Sequence, residues 1–499
     1  MMPLVIRADA SPEIGTGHVM RCLALAEAWQ DNGGDVVFVS AGDSPAIEGR
    51  LKREGMDFIQ ISQGAGTPGD ADETVGIAQD IGAVWITVDG YHFGEEYQKA
   101  IKDAGLSLLF IDDYGHADHY YADLVLNQNL YARESLYTSH APYTRFLLGP
   151  KYVLIRREFL DWSDRDRIIP EIATKILITL GGSDPDNITL KIIEAVKIVD
   201  LRNLEVIVVI GGVNPHTERI EEAVKDSPVF RLFKNAENMP ELMAWADVAI
   251  SAGGSTCWEL LFMGIPSLVM PIAENQKPIV KELQSLGIAQ TIEGNAVNNP
   301  VQLAQVLSEF LRSREIRSGL SERKVRYIDG KGPSRIICLM GNTSITLRNV
   351  EPSDCKRIWL WINDPLVRSV SFGTQSIPLE DHKKWFLSAL NDPRLVYYIA
   401  LDKNARPVGQ VRFKITSHEG IISVLIDPKC RGLSLGSRLI RNATEKLFAE
   451  TEVDTVKALI KTGNERSHRA FIKAGYMDQG LTEYCGENAY LLIKIQRKP

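Results

Sequence analysis

Val248-Ala249-Ile250-Ser251-Ala252-Gly253-Gly254-Ser255-Thr256-Cys257-Trp258-Glu259 is the stretch whose reading decides the fold. Val248–Ile250 is an apolar run of strand length, and the glycine pair after it ends the strand. The segment Thr256–Met263 then has helix length and leads to a second apolar run, Ser267–Met270. Strand, glycine turn, helix and strand in succession form the repeating unit of an open parallel sheet covered by helices. The same alternation extends outward in both directions. Strand-like runs occur at Leu4–Ile6, Val36–Val39, Ala83–Val88, Leu108–Ile111 and Leu124–Leu126, then again at Ile176–Leu180 and Val206–Ile210. They fall into two sets, which predicts two doubly wound α/β lobes over residues 1–150 and 151–342. Gly149-Pro150-Lys151-Tyr152 through Pro170 forms the crossing between them. Such a pair places its ligand in the cleft facing the C-terminal ends of the strands.

Asp329-Gly330-Lys331-Gly332-Pro333 breaks this rhythm, and Gly341-Asn342-Thr343-Ser344 forms a hinge before a new start. From Ile345 the order becomes strand, helices, several strands, then a glycine-containing turn and a helix. Residues 343–499 are therefore read as a third, independent α/β domain.

The composition excludes several classes of function. Hydrophobic residues make up 44% of the 499 positions and charged residues 24%, the balance of a soluble globular protein. A formal net charge of −8 argues against nucleic acid or an anionic membrane as the main partner. Runs such as Val206–Ile210 are far too short to cross a bilayer, and the start of the chain lacks a basic segment followed by a long apolar core. The six cysteines (Cys22, Cys257, Cys338, Cys355, Cys430, Cys485) are scattered with no C-x-x-C pair, which suits reduced thiols and a cytoplasmic location. The scattered cysteines offer no zinc site, and a metal-independent reaction is expected.

The chemistry is carried by short polar motifs at strand ends. Gly253-Gly254-Ser255-Thr256 opens a helix just after a strand, so its N–H groups and the positive helix end can seat a pyrophosphate. Gly181-Gly182-Ser183, after Ile176–Leu180, is a second donor-rich turn, and Glu259 follows Ser255 by one helical turn. Near the N-terminus, Gly15-Thr16-Gly17-His18 sets an imidazole on the first turn of a helix. The glycines there can cradle a phosphate or bring a base close to a ligand. In the third domain, Ile426 leads through Arg431-Gly432-Leu433-Ser434-Leu435-Gly436 into the helix from Ser437. Asn464, Ser467 and Phe471 lie on the next helical segment.

Over about the first 340 residues the chain resembles the UDP-sugar hydrolases of pseudaminic acid biosynthesis. The resemblance is carried by Arg7-Ala8-Asp9-Ala10-Ser11, Gly15-Thr16-Gly17-His18, Met20-Arg21-Cys22-Leu23, Val88-Asp89-Gly90-Tyr91, Ile111-Asp112-Asp113-Tyr114, Asn127-Gln128-Asn129, Gly181–Pro185 and Ser251–Thr256, in that order. It implies the two-lobed GT-B architecture and removal of UDP from UDP-2,4-diacetamido-2,4,6-trideoxy-β-L-altropyranose, with inversion and without a metal. In that family His18 would activate water, oriented by Asp9 or another carboxylate. Gly17, Asn275 and Gln276 would meet the sugar, and Gly181, Gly182, Ser183, Gly253, Gly254, Ser255 and Thr256 the UDP. Resemblance to the wider GT-B group assigns Glu259 to the ribose. A UDP leaving group is weakly basic, so one base can suffice where an ordinary glycosidase needs two carboxylates.

The last part resembles GNAT acetyltransferases. Ile426, Arg431, Gly432, Leu433, Ser434, Leu435, Gly436, Asn464, Ser467 and Phe471 match positions that contact acetyl-CoA in that family. Ser434 replaces the usual middle glycine, and Phe471 stands where many relatives carry a tyrosine acid. Water, His468 or Tyr484 could substitute, or no acid is needed. Together the two parts imply a bifunctional enzyme that acetylates a UDP-4-amino sugar and then hydrolyses the product. A GT-B glycosyltransferase with a non-water acceptor, and a nucleotide-sugar binding protein with a decayed GNAT domain, remain alternatives.

Overall fold

Strands β1 (Leu4–Ala8), β2 (Val36–Ser40), β4 (Trp85–Asp89) and β5 (Ser107–Ile111) are buried along nearly their whole length. Strands covered on both faces read as continuous apolar runs, which is why the sequence marks them clearly. β3 (Asp57–Gln60), β6 (Leu124–Asn127) and β7 (Arg145–Leu148) complete a seven-stranded parallel sheet of order β3-β2-β1-β4-β5-β6-β7. A second parallel sheet, of order β10-β9-β8-β11-β12-β13, is built from β8 (Lys175–Thr179), β9 (Glu205–Ile210), β10 (Phe230–Lys234), β11 (Val248–Ala252), β12 (Ser267–Met270) and β13 (Gln290–Thr291). These positions come from a computed structural model that describes residues 3–496 apart from 12–14, 43, 164–166, 183, 213, 293, 323–327, 341–344, 403–404 and 432–434.

The strand order reverses direction between β1 and β4 in the first sheet and between β8 and β11 in the second. At such a switch point the loops leaving neighbouring strands part to opposite faces and open a crevice. The loops concerned are those of Gly15–His18 and Tyr91 in one lobe, and of Gly181–Gly182 and Gly253–Ser255 in the other. Both sheets belong to one compact unit, residues 1–337, and residues 338–499 form a second.

The helix Gly17–Asp31 follows β1 and buries Val19, Cys22, Leu23, Ala26 and Trp29. It stops at Asn32, whose side chain donates to the Ala28 carbonyl, and Gly33 follows with a left-handed φ of 69°. The helix Thr256–Met263 follows β11 and ends at Gly264, also left-handed, with the next two N–H groups returning to Leu261 and Leu260.

Two glycines hold the lobes close at the base of the cleft. A Cβ on Gly182 would lie 3.0 Å from the Thr16 nitrogen, and a Cβ on Gly211 would lie 2.6 Å from the Gly182 Cα. In both cases the obstacle is backbone, which cannot swing aside. Gly211→Ala should therefore push Gly182 toward Thr16 and destabilise the first unit by about 1–3 kcal/mol, the range for forced overpacking. A thermal melt at the wild-type midpoint would contradict this.

The second unit contains one mixed sheet of order β14-β15-β16-β17-β18-β20-β19. Its strands are β14 (Thr346–Asn349), β15 (Leu395–Leu401), β16 (Pro407–Thr416), β17 (Glu419–Ile426), β18 (Thr455–Lys461), β19 (Met477–Tyr484) and β20 (Glu487–Ile495). All neighbours are antiparallel except β17 and β18, which pair in parallel over only Glu419–Ile421 and Thr455–Lys457. The helix Leu435–Glu450 covers one face and buries Leu435, Leu439, Ile440, Ala443 and Leu447, a spacing that sets one helical stripe against the sheet. Among the described residues no helix is long and apolar enough to cross a membrane.

Candidate active site

A cleft opens at the two switch points, where a fold of this kind places its ligand. From the first lobe it is lined by Gly17, His18, Arg21, Tyr91, Asp113, Gln128 and Asn129. Gly253, Gly254, Ser255, Trp258, Asn275, Gln276 and Ile279 line it from the second. A Cβ on Gly17 would lie 3.9 Å from the Ser255 hydroxyl, so the base-bearing turn and the glycine turn face each other directly.

Ser255 stands at the start of the helix Thr256–Met263 without a side-chain hydrogen bond, while the N–H groups of Gly253, Cys257 and Trp258 go to the carbonyls of Met270, Gly254 and Ser255. The other glycine turn differs. Asp184 accepts from the N–H groups of Ile188 and Thr189 at 2.9 and 2.8 Å, so an internal carboxylate fills the start of the helix Ile188–Ile198. Gly181 and Gly182 follow β8 at the cleft base, where Gly182 meets Thr16, and neither is among the lining residues. Ser183 lies outside the described residues. Thr256 is the first residue of its helix.

His18 is held by the N-terminal turn of its helix and is mostly covered. Its Nδ1 lies 3.7 Å from Asp89 Oδ1, beyond hydrogen-bond reach, and its ring meets Tyr91 edge-on at 4.9 Å. Burial, the largest influence, lowers its pKa below the ordinary value, with Asp89 opposing, so the imidazole is neutral at pH 7. Nδ1 is buried and has no hydrogen-bond partner among the described residues.

Behind His18 stands a buried charged network. The Arg21 guanidinium makes a two-point contact with Asp89 (Nε–Oδ2 and Nη2–Oδ1, both 2.6 Å), and its Nη1 donates to Asp113 at 2.9 and 3.0 Å. Asp113 also accepts from the Tyr91 hydroxyl at 2.6 Å and the Asn129 amide at 2.8 Å, and with Arg21 beside it its pKa lies below the usual range despite burial. Burial and Asp113 together push the Tyr91 phenol far up, so it stays protonated. The Asn275 amide donates to the Tyr91 oxygen at 3.0 Å and carries the network across to the second lobe. Gln276 anchors its own loop by accepting from the Ile272 N–H.

Two of the residues read from the sequence are not among those that line the cleft. Asp9 is not at the cleft. It accepts from Arg7 at 2.6 Å, from the Ala41 N–H at 2.8 Å and from Ser40, and its other oxygen lies 3.0 Å from His92 Nε2. The carboxylate beside His18 Nδ1 is Asp89, not Asp9. Glu259 is turned to Arg156 in the crossing segment, with Arg156 Nε at 2.9 Å from its Oε1. Arg21, Asp113, Asn129 and Tyr91 were present in the sequence motifs without an assigned role, and their separation along the chain hides that they meet.

In the second unit, Ile426 ends β17 and Arg431 pairs with Asp364 at 2.8 Å. Gly432, Leu433 and Ser434 lie outside the described residues. Gly436 faces Ala470 of the helix Glu465–Lys473, which Asn464 caps by accepting from the Ser467 N–H. Leu435 and Phe471 belong to the core, and Phe471 packs edge-on against Tyr476 at 5.0 Å. Tyr476 in turn shares a hydrogen bond with Thr444.

Residues 176–324 match the glycosyltransferase family 28 C-terminal domain, and residues 344–477 match the acetyltransferase (GNAT) domain. The chain joins a GT-B-type unit to a GNAT domain. It is 26% identical over 436 residues to an uncharacterized protein of Methanocaldococcus jannaschii, covering 82% of this chain and 83% of that protein. The UDP-2,4-diacetamido-2,4,6-trideoxy-beta-L-altropyranose hydrolase of Campylobacter jejuni is 26% identical over 291 residues, 57% of this chain and 97% of its own length. The aminoglycoside N(6')-acetyltransferase type 1 of Klebsiella pneumoniae is 28% identical over 155 residues, 28% of this chain and 77% of its own. The GT-B-type unit is thus related to a UDP-sugar hydrolase and the GNAT domain to acetyltransferases.

Proposed function

We propose that the first unit hydrolyses UDP-2,4-diacetamido-2,4,6-trideoxy-β-L-altropyranose with inversion, and that the GNAT domain makes its substrate by N-acetylating the UDP-4-amino sugar from acetyl-CoA. The observation that carries the first half is the facing of a neutral His18, backed by Asp89, and the uncapped helix start at Ser255 across one cleft. His18 takes a proton from water, the water oxygen bonds to the anomeric carbon, and the bond from that carbon to the β-phosphate oxygen breaks. UDP leaves with the electron pair. Its charge is met by the helix start at Gly253–Thr256, so the reaction draws on no metal. Asn275 and Gln276 position the sugar or the water, and Glu259 accepts from the ribose.

In the second half the neutral 4-amine attacks the thioester carbonyl, the carbon–sulfur bond breaks, and coenzyme A leaves as thiolate. Phe471 donates no proton and sits in the core, so the thiolate is protonated without it. Relatedness to a UDP-sugar hydrolase and to an amine-acetylating enzyme supports the pairing. The test is to give the full chain the UDP-4-amino sugar and follow the products by NMR. Without acetyl-CoA the sugar should persist; with it, N-acetylation should precede release of UDP into water with no other acceptor added. UDP release that requires a second sugar would favour a glycosyl transfer instead.

A further inference from the structure

The crossing between the lobes holds an ion-pair chain that the reaction itself does not use. Arg156, 6% exposed, places Nε and Nη2 each 2.9 Å from the same oxygen of Glu259, Oε1. Its remaining nitrogen, Nη1, lies 2.5 Å from Glu158 Oε1, and the guanidinium packs over the Phe159 ring at 5.1 Å. Glu158 Oε2 then accepts from Arg50 Nη2 at 3.1 Å, and Arg50 sits on the helix Pro45–Arg53 of the first lobe, where it also bonds Glu54. One buried guanidinium therefore connects the helix that starts at the glycine turn with a helix of the opposite lobe.

We propose that Arg156 is the positioning residue of ribose recognition: it fixes Glu259 in one orientation, with Oε1 occupied and Oε2 left to accept from the ribose. This rests on the reading that Glu259 accepts from the ribose. Burial by itself raises the Glu259 pKa, and Arg156 is the first cation that opposes it. Without Arg156 the carboxyl takes up a proton or swings away, and either change removes acceptor oxygens from the ribose. Arg50 and Glu158 keep the guanidinium from following Glu259, because its third corner is tied to the first lobe.

The experiment titrates UDP and 2′,3′-dideoxy-UDP into the full chain by calorimetry. Wild type should prefer UDP by about tenfold or more, the value of hydroxyl bonds to a charged acceptor. In Arg156→Ala the preference should fall below about threefold, and in Arg156→Lys, which keeps the charge but not the fork, it should be intermediate. A merely structural role would weaken both ligands alike and leave their ratio unchanged, and an unchanged ratio in both variants overturns the proposal. If Arg156→Ala does not fold, Arg156→Lys decides: a ratio reduced about threefold supports the assignment, and the wild-type ratio overturns it. A wild type that does not distinguish the two nucleotides overturns the ribose role of Glu259 and this inference with it.

Discussion

His18→Ala should lower the rate of UDP release about a thousandfold, in the middle of the range for loss of a general base, while acetylation of the amino sugar continues at its normal rate. The separation is possible because the imidazole stands in the first unit and the acetyl transfer belongs to the second. The same residue fixes the pH dependence. Its pKa is depressed by burial, so the neutral form is gained at a lower pH than for an ordinary histidine. UDP release should climb on the acid side and level off at a lower pH than an unperturbed histidine would give. Release measured by a coupled assay in both variants checks the role. A His18→Ala protein that releases UDP within a few-fold of wild type removes His18 as the base.

Arg21→Ala should be the most destabilising single change at the site. Asp89 and Asp113 both depend on this guanidinium, and both are buried. Removing it leaves two buried carboxylates facing a cavity, and breaking a buried pair in this way costs about 3–5 kcal/mol. In a unit of this size that corresponds to a fall of about 4–7 °C in the melting transition. Arg21→Lys should fall between the two, because an ammonium cannot reproduce the two-point contact with Asp89 while also reaching Asp113. Calorimetry on the full chain reads the transition of the first unit, and an Arg21→Ala transition within two degrees of wild type would show that the network contributes little.

Much of the architecture was legible in the sequence because the inner strands of both sheets carry apolar runs. Val248–Ile250 and Ile176–Leu180 show up as strands on composition alone. The edges were harder: β3 contains Asp57 and Gln60, β10 contains Arg231 and Lys234, and both lie at the ends of their sheets where one side faces water. Charged residues at such edges break the apolar pattern that marks a strand. The site was legible only in part, for a related reason. His18, Gly253–Ser255 and Asn275 lie in glycine-rich or polar turns that advertise themselves. Arg21 lies on a helix face, and its partners Asp89 and Asp113 are 68 and 92 residues away. Nothing local distinguishes such charges from solvated ones. Asp9 is the converse case: its nearness to His18 in sequence suggested a partnership, but Arg7 and His92 take it on the other side of β1.

The contact between Asn275 and Tyr91 bears on traffic through the cleft. Everything behind Tyr91 is ionic and packed, so that wall is rigid and set before any sugar arrives. The crossing itself at this point is one neutral hydrogen bond of 3.0 Å, worth about 1 kcal/mol net. A latch that weak opens on thermal energy, so roughly one molecule in six has it undone at any instant at 25 °C. Entry to the cleft can then proceed by rapid breathing of Asn275 alone, with Tyr91, Arg21 and Asp113 keeping their places.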